Sequence, residues 1–157
     1  MSPPTSLRPV QAEDEALLFE IYASTRTEEM ALVDWSDAQK EAFLRMQFAA
    51  QHQHYQNVFP DARFDIILSD DRPIGRLYVD RRPDEIRIVD IALLPEARNQ
   101  GVGSSLVKEL LAEARDAGKP VRIHVERNNP ALRLYERLGF ARTGETGIYL
   151  LMEWPSG

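Results

Sequence analysis

The sequence predicts an α/β (α+β) domain in which a mixed sheet is flanked by helices. Stretches rich in Ile, Val and Leu alternate along the chain with stretches whose apolar residues recur at helical spacing, and turn residues separate the two kinds. The chain has 157 residues, 43% of them apolar, with no repeat, low-complexity tract or linker, which suits a single domain over 1–157 with its own core.

Leu7–Val10 reads as a first strand, and Glu13 to about Ser24 as a helix carrying Leu17, Leu18, Ile21 and Tyr22 on one face. A loop follows. Ser36 with Gln39 three residues on is a capping-box signature, and Phe43, Met46 and Ala50 continue at helical spacing toward Tyr55 until Asn57–Pro60 ends the helix. Phe64–Leu68 and Ile74–Val79 read as the strands of a hairpin, because Ser69-Asp70-Asp71-Arg72-Pro73 between them has turn composition. Asp80–Asp84 turns the chain into a long apolar strand, Ile86–Leu94. Leu106, Val107, Leu110, Leu111 and Ala114 then form the face of a helix that ends at Gly118. Val121–Val125 is a further strand. Asn at the cap and Pro130 at the first helical position start a short helix that Gly139 ends, and Ile148–Trp154 closes the chain as a strand.

Composition narrows the function. The net charge of −6 argues against a nucleic-acid partner, whose phosphates call for a basic face, and suits cationic ligands. No stretch approaches the roughly eighteen apolar residues of a membrane span, and Met1–Ser6 lacks the charged and apolar regions of a leader peptide, so a cytoplasmic protein without a membrane partner is expected. With no cysteine there is no disulfide, no thiolate metal site and no covalent cysteine intermediate. His52 and His54 lie two apart, which on a helix turns them away from each other, so no metal site is expected.

The most informative run is Leu93-Leu94-Pro95-Glu96-Ala97-Arg98-Asn99-Gln100-Gly101-Val102-Gly103-Ser104. It joins an apolar strand to a helix through a glycine-bearing turn. The first-turn N–H groups of that helix have no partner inside it, and its dipole favours negative charge there, so the turn suits a diphosphate; Arg98 adds a forked cation. The turn lacks the Gly-Lys-Ser/Thr of a nucleotide P-loop, and Leu106 stands where a dinucleotide fingerprint has its third Gly.

Downstream stands Asn129-Pro130-Ala131 with Tyr135 four residues on and Gly139-Phe140 after it. Arg-x-x-Gly-x-Gly followed about thirty residues later by Asn-Pro-Ala-x-x-x-Tyr-x-x-x-Gly-Phe resembles the GNAT superfamily of acetyl-CoA-dependent N-acetyltransferases, over residues 86 to 154. The resemblance implies the GNAT acyltransferase fold, a mixed, mostly antiparallel sheet of about six to seven strands with about four helices. It implies acetyl-CoA as cosubstrate and an amine acceptor as partner, and it leaves a homodimer open. It implies that the backbone amides of Arg98, Asn99, Gln100, Gly101, Val102, Gly103 and Ser104 bind the coenzyme A pyrophosphate. The peptide groups of Ile91 and Leu93 would pair with the pantetheine arm, Asn129 would contact that arm, and Tyr135 would act as general acid toward the sulfur. Many family members have one residue more between this Asn and the Tyr, so Asn128 is the alternative contact.

An acceptor amine must be neutral to attack. A lysine-like amine is only about 0.04% neutral at pH 7, whereas an α-amine is over a tenth neutral. A carboxylate base is therefore sought near the coenzyme strand, and Asp90 and Glu85 are the candidates. Asp90, inside Ile88-Val89-Asp90-Ile91-Ala92, needs a partner or suffers desolvation, and a cross-sheet pair with Arg76, Arg87 or Arg122 would supply one. Glu85, near a strand end, reads as solvated. Tyr135 taken alone reads as a core tyrosine, with Leu132 and Leu138 on its helix face. His124 reads as a packed core histidine, with a proton shuttle as the other option. The loop Ser24–Trp35 offers Glu28, Glu29 and Asp34 to a cationic amine, with Trp35, Tyr55 or Tyr78 to stack on it, or it is a solvated loop anchored by Met30 and Trp35. Two functions follow: N-acetyl transfer to a primary amine of a small molecule, peptide or protein, or a noncatalytic acyl-CoA-binding or interaction domain.

Overall fold

The computed structural model describes residues 4–155; Met1–Pro3, where the leader reading begins, and the last two residues of the expected 1–157 domain lie outside the described residues. The strands are β1 (Thr5–Pro9), β2 (Arg63–Ser69), β3 (Arg72–Arg81), β4 (Ile86–Leu93), β5 (Val121–Glu126), β6 (Ala141–Thr146) and β7 (Tyr149–Trp154). The helices are α1 (Glu15–Ser24), α2 (Thr27–Ala31), α3 (Asp37–Val58), α4 (Val102–Ala117) and α5 (Leu132–Arg137). The seven strands form one sheet in the order β1-β2-β3-β4-β5-β7-β6. Every pair is antiparallel except β4 with β5, the mixed and mostly antiparallel sheet that the sequence led us to expect.

Local chemistry accounts for most boundaries. Asp70 and Asp71 both adopt left-handed backbone (φ 51° and 63°) in the two-residue turn between β2 and β3, the twist that a tight hairpin requires. Ser36 accepts from the Gln39 N–H at 3.1 Å while the Gln39 side chain accepts from the Ser36 N–H at 2.9 Å, so the capping box starts α3. Gly118, left-handed at φ 69°, ends α4.

Two elements differ from expectation. The Ser24–Trp35 loop contains α2, and β6 has no counterpart among the strands expected from the sequence. Most of β6 is exposed and it pairs with β7 alone, so no apolar alternation marks it. The Asn-Pro-Ala helix also begins later than expected. Pro130 and Ala131 form a turn in which the Leu132 N–H donates to the Asn129 carbonyl at 3.1 Å, and α5 starts at Leu132.

Apolar side chains fill both faces of the sheet. Val102, Leu106, Val107, Leu110, Leu111 and Ala114 of α4 pack with Ile86, Ile88, Ile123, Val125, Tyr135 and Phe140. On the other face α1 and α3 bring Leu18, Tyr22, Leu44 and Phe48 against Ile66 and Tyr78. Each fully buried aliphatic side chain contributes about 1.5–3 kcal/mol.

The central event is a bulge. Tyr78 lies opposite Asp90 and Val79 opposite Ile88, leaving Val89 without a register partner. The Ile86 N–H points to the β5 side, donating to Pro120, whereas the Leu94 N–H donates to Ile74 beside β3. The bulge therefore switches the alternation, so beyond it Ile91 and Leu93 turn their peptide groups away from β3. They find no strand there, because β4 and β5 pair only from Ile86 with Val121 to Ile88 with Ile123. A gap opens between the two strands.

Close packing of β3 on this part of β4 sets a test. A Cβ on Gly75 would lie 2.3 Å from the Ala92 carbonyl oxygen, whereas one on Gly144 would meet only Leu151 Cδ2 at 3.9 Å. Urea denaturation should show Gly75→Ala destabilised by about 1–3 kcal/mol. Gly144→Ala should stay within about 0.5 kcal/mol of wild type.

Candidate active site

The gap holds a cavity of about 40 Å³ lined by Val89, Asp90 and Ile91 from β4, Ile123, His124 and Val125 from β5, and Asn129 and Tyr135 beyond it. The structure thus brings Asp90, Ile91, Asn129 and Tyr135 together. Asn128 is not among the lining residues. A larger cavity, about 410 Å³, lies against the β2–β3 hairpin beside Glu96, Ala97 and Gln100; it contains neither Tyr135 nor Asp90.

Arg98 to Ser104 lie at the C-terminal end of β4, leading into α4. Asn99 and Gly101 both have left-handed backbone, φ 61° and 81°, and curl the chain ahead of α4. The first N–H groups of α4, from Val102 through Ser104, have no acceptor within the helix. The Gln100 side chain donates to the Glu96 carbonyl at 2.8 Å and closes the turn on itself. The Arg98 side chain corrects an expectation. Part of the fork expected to face an anion is committed within the protein: its Nε donates to the Leu93 carbonyl at 3.0 Å and its Nη2 to the carbonyl and hydroxyl of Ser24, each at 3.2 Å. Its Nη1 donors and its backbone remain for an anion.

Ser24 is one end of a strap. Two residues on, Arg26 pairs with Glu126 at the end of β5 at 2.9 Å and with Glu29 at 2.9 Å. The segment from Ser24 to Arg26 is thereby tied to both sides of the gap. Nothing in the sequence flagged it, since Arg26 and Glu126 are a hundred residues apart.

Tyr135 is buried at 3% exposure, edge-on to Phe140 with centroids 5.6 Å apart, as the core reading expects. Its ring nevertheless lines the cavity, and its hydroxyl has no hydrogen-bond partner among the described residues. Burial first, and the charge of Asp90 second, push its pKa above the ordinary tyrosine range, so the hydroxyl keeps its proton. Asn129 uses its side-chain oxygen to accept the Ala131 N–H at 2.8 Å, leaving its NH₂ donors for another partner.

Asp90 has the cross-sheet partner that its position demands. Arg76 Nε donates to Oδ2 at 2.5 Å, while Nη2 of the same guanidinium donates to Gln51 at 2.9 Å. Arg76 is buried at 3% exposure, whereas the Asp90 side chain is 22% exposed and faces the cavity. The second oxygen of Asp90 has no partner among the described residues. Its charge also helps raise the pKa of Tyr55, after burial.

Glu85 is placed differently from expectation. It is buried rather than solvated, pairing with Arg82 at 3.2 Å and Arg122 at 3.0 Å ahead of β4, at the opposite end from the glycine turn. His124 is corrected as well. Outside the core and without a hydrogen-bond partner among the described residues, it is exposed and lines the cavity. In the loop reading, Trp35 packs edge-on against Phe43 at 5.2 Å, while Tyr78 is buried at 1% exposure and offers no stacking surface. His52 makes a hydrogen bond with Gln56 at 3.1 Å, and no cluster of three or more His, Asp or Glu suited to a metal occurs among the described residues. No described helix is long and apolar enough to cross a membrane.

The fold and sequence both have relatives. A PaiA N-acetyltransferase from Thermoplasma acidophilum, solved in complex with coenzyme A, superposes with a TM-score of 0.69 over 96% of this chain and 98% of that one, at 20% identity. An acetyltransferase from Thermus thermophilus superposes with a TM-score of 0.68 over 98% and 97%, at 17% identity. In sequence the chain is 42% identical over 98 residues to a mycothiol acetyltransferase of Thermomonospora curvata, a stretch that is 61% of this chain and 26% of that protein. It is 38% identical over 76 residues to one from Nocardiopsis dassonvillei, 47% of this chain and 20% of that protein. The matched stretch is thus about a quarter or less of these relatives' length. The profile of the acetyltransferase (GNAT) family matches residues 19–140, which spans the glycine turn, the β4–β5 gap and Tyr135; the chain belongs to the GNAT acetyltransferase family.

Proposed function

We propose that the chain transfers the acetyl group of acetyl-CoA directly to a primary amine. The observation that carries this reading is the β4–β5 gap, where a protonated tyrosine hydroxyl without a hydrogen-bond partner among the described residues shares a cavity with the part of β4, Val89–Ile91, that has no β5 strand beside it. The residues fit the coenzyme. The pyrophosphate would accept from the backbone N–H groups of residues 98 to 104, at a turn made left-handed at Gly101. The pantetheine arm would lie along β4 at Ile91 and Leu93, where the Leu93 carbonyl already accepts from Arg98 Nε, leaving the Ile91 peptide groups and the Leu93 N–H to pair with it. The free NH₂ of Asn129 would donate to that arm.

Transfer is direct because the chain has no cysteine to carry the acetyl group. The acceptor nitrogen attacks the thioester carbonyl carbon, the C–S bond breaks, and the Tyr135 hydroxyl donates to the departing sulfur. Burial and Asp90 disfavour a tyrosinate, so the donation completes as a proton from the amine reaches the phenol oxygen. Asp90, already held by Arg76 through Oδ2, faces the cavity with its other oxygen and draws a cationic amine toward it. Mycothiol acetyltransferases share only part of this chain, so what supports the acceptor class is the Asp90 carboxylate at the cavity rather than their name. A noncatalytic acyl-CoA-binding domain is the second reading, and the partner-free hydroxyl of Tyr135 favours catalysis over it.

Three measurements test these roles. Calorimetry on Gly101→Val should show acetyl-CoA affinity reduced about 10-fold or more, because a β-branched residue is strained at φ 81° and crowds the turn. Gly101→Asn, which tolerates left-handed backbone, separates folding loss from binding loss. Unchanged affinity in the valine variant would overturn the coenzyme assignment. Tyr135→Phe should lower kcat about 10²-fold with acetyl-CoA affinity intact; a kcat within twofold of wild type returns Tyr135 to the core. Asp90→Asn should raise KM for cationic acceptors and also lower Tm, because it leaves the Arg76 guanidinium buried without its counter-charge, a loss of about 3 kcal/mol or more.

A further inference from the structure

We propose that the imidazole of His124 accepts the proton that a cationic acceptor amine must lose before transfer, an inference that rests on the acetyltransferase reading above. The side chains of Ile123 and Val125 are buried in the core beneath α4, so His124 between them projects to the opposite face of the sheet, the face on which Asp90 meets Arg76. It lines the cavity shared by Asp90 and Tyr135, from the β5 side of the gap where Asp90 stands on β4. Its ring is exposed and has no hydrogen-bond partner among the described residues. One edge therefore meets the acceptor while the side chain still reaches solvent, where a proton can be discharged.

Asp90 is less suited to that task. Protonating it would leave Arg76, buried and 2.5 Å away, without its counter-charge. The groups around His124 keep the imidazole available. From β4, Arg87 carries a cation with no carboxylate partner among the described residues, and Asp90 is tied to Arg76. On β5 itself Arg122 pairs with Glu85 and Glu153, and Glu126 with Arg26. From β7, Leu151 lies opposite and Tyr149 and Glu153 flank it; from beyond the gap come Tyr135 and Asn129. Partial burial and Arg87 hold the imidazole below the ordinary histidine range, against a weaker pull from Glu85, so it is neutral at pH 7.

The step balances. An R–NH₃⁺ acceptor gives one proton to the ring nitrogen and becomes R–NH₂. Its lone pair forms the N–C bond, the C–S pair goes to sulfur, and Tyr135 supplies the sulfur's proton. The second amine proton returns to the Tyr135 oxygen, and the imidazolium releases its proton to solvent.

The test is coenzyme A release with n-propylamine and with hydroxylamine as acceptors, read as kcat/KM against pH. With wild type and propylamine the rate should rise and level off below pH 7, because neutral His124 acting on the ammonium is then saturated. In His124→Gln the rise should continue toward the amine's own pKa, near 10, and the rate at pH 7 should fall about 10²-fold. Hydroxylamine, already neutral at pH 7, should lose less than about 3-fold, and acetyl-CoA affinity by calorimetry should not change. Added imidazole should restore propylamine turnover to His124→Ala. A plateau that survives in His124→Gln, an equal loss for both acceptors, or a plateau lost only in Asp90→Asn would overturn the proposal while leaving the transferase reading intact. Absence of coenzyme A release from wild type with every amine would instead overturn the transferase reading itself.

Discussion

Beyond Ile88 and Ile123 the two parallel strands at the middle of the sheet stop sharing hydrogen bonds, and the candidate site exists because of that separation. Each strand is held elsewhere along its whole length, β4 by β3 and β5 by β7, so neither collapses into the gap. The bulge at Val89 adds the second half of the effect. It turns the peptide groups of Ile91 and Leu93 outward and puts Val89 and Asp90 on the same face of the sheet. A regular strand would have sent the Asp90 carboxylate toward α4, into an apolar core that has no partner for it.

Charge is distributed around the gap with unequal purposes. Arg76 and Asp90 form a buried pair whose desolvation cost is offset by close contact and by Gln51, and such pairs are costly to break rather than strongly stabilising to make. What the pair does is place one anionic oxygen at the cavity that Tyr135 also lines, where it helps burial keep the tyrosine protonated. Arg98 and Arg26 serve geometry instead. They pin Ser24–Arg26 across the gap, Arg98 bridging Ser24 to the Leu93 carbonyl on one side and Arg26 pairing with Glu126 on the other. Exposed pairs elsewhere, such as Arg45 with Glu41 at 3.7 Å, contribute little.

The contrast among the three histidines is instructive. His52 and His54 sit on α3, one hydrogen-bonded to Gln56 and the other against Tyr55, away from the gap. His124 occupies an alternating position on a strand whose other face is core, so it projects to the face of the sheet on which Asp90 lies. Its lowered pKa comes first from partial burial and then from Arg87 on β4 rather than from anything in its own segment.

Much of the fold was legible because its signals are local: helical spacing in α1, α3 and α4, the capping box at Ser36, the Asp-Asp hairpin turn and the glycines at 101 and 118 act through residues a few positions apart. The two motifs that contain the glycine turn and Tyr135 are local as well, which is why family membership could be read from residues alone. β6 escaped because an edge strand with most of its residues exposed needs no apolar alternation. The bulge at Val89, the partner of Asp90 among three candidate arginines, the commitment of part of the Arg98 fork to Leu93 and Ser24, the burial of Glu85 and the exposure of His124 were all decided by tertiary structure. Each depends on which strand lies alongside and in what register, and register is settled by the packing of both faces of the sheet at once, a constraint that no single segment of sequence contains.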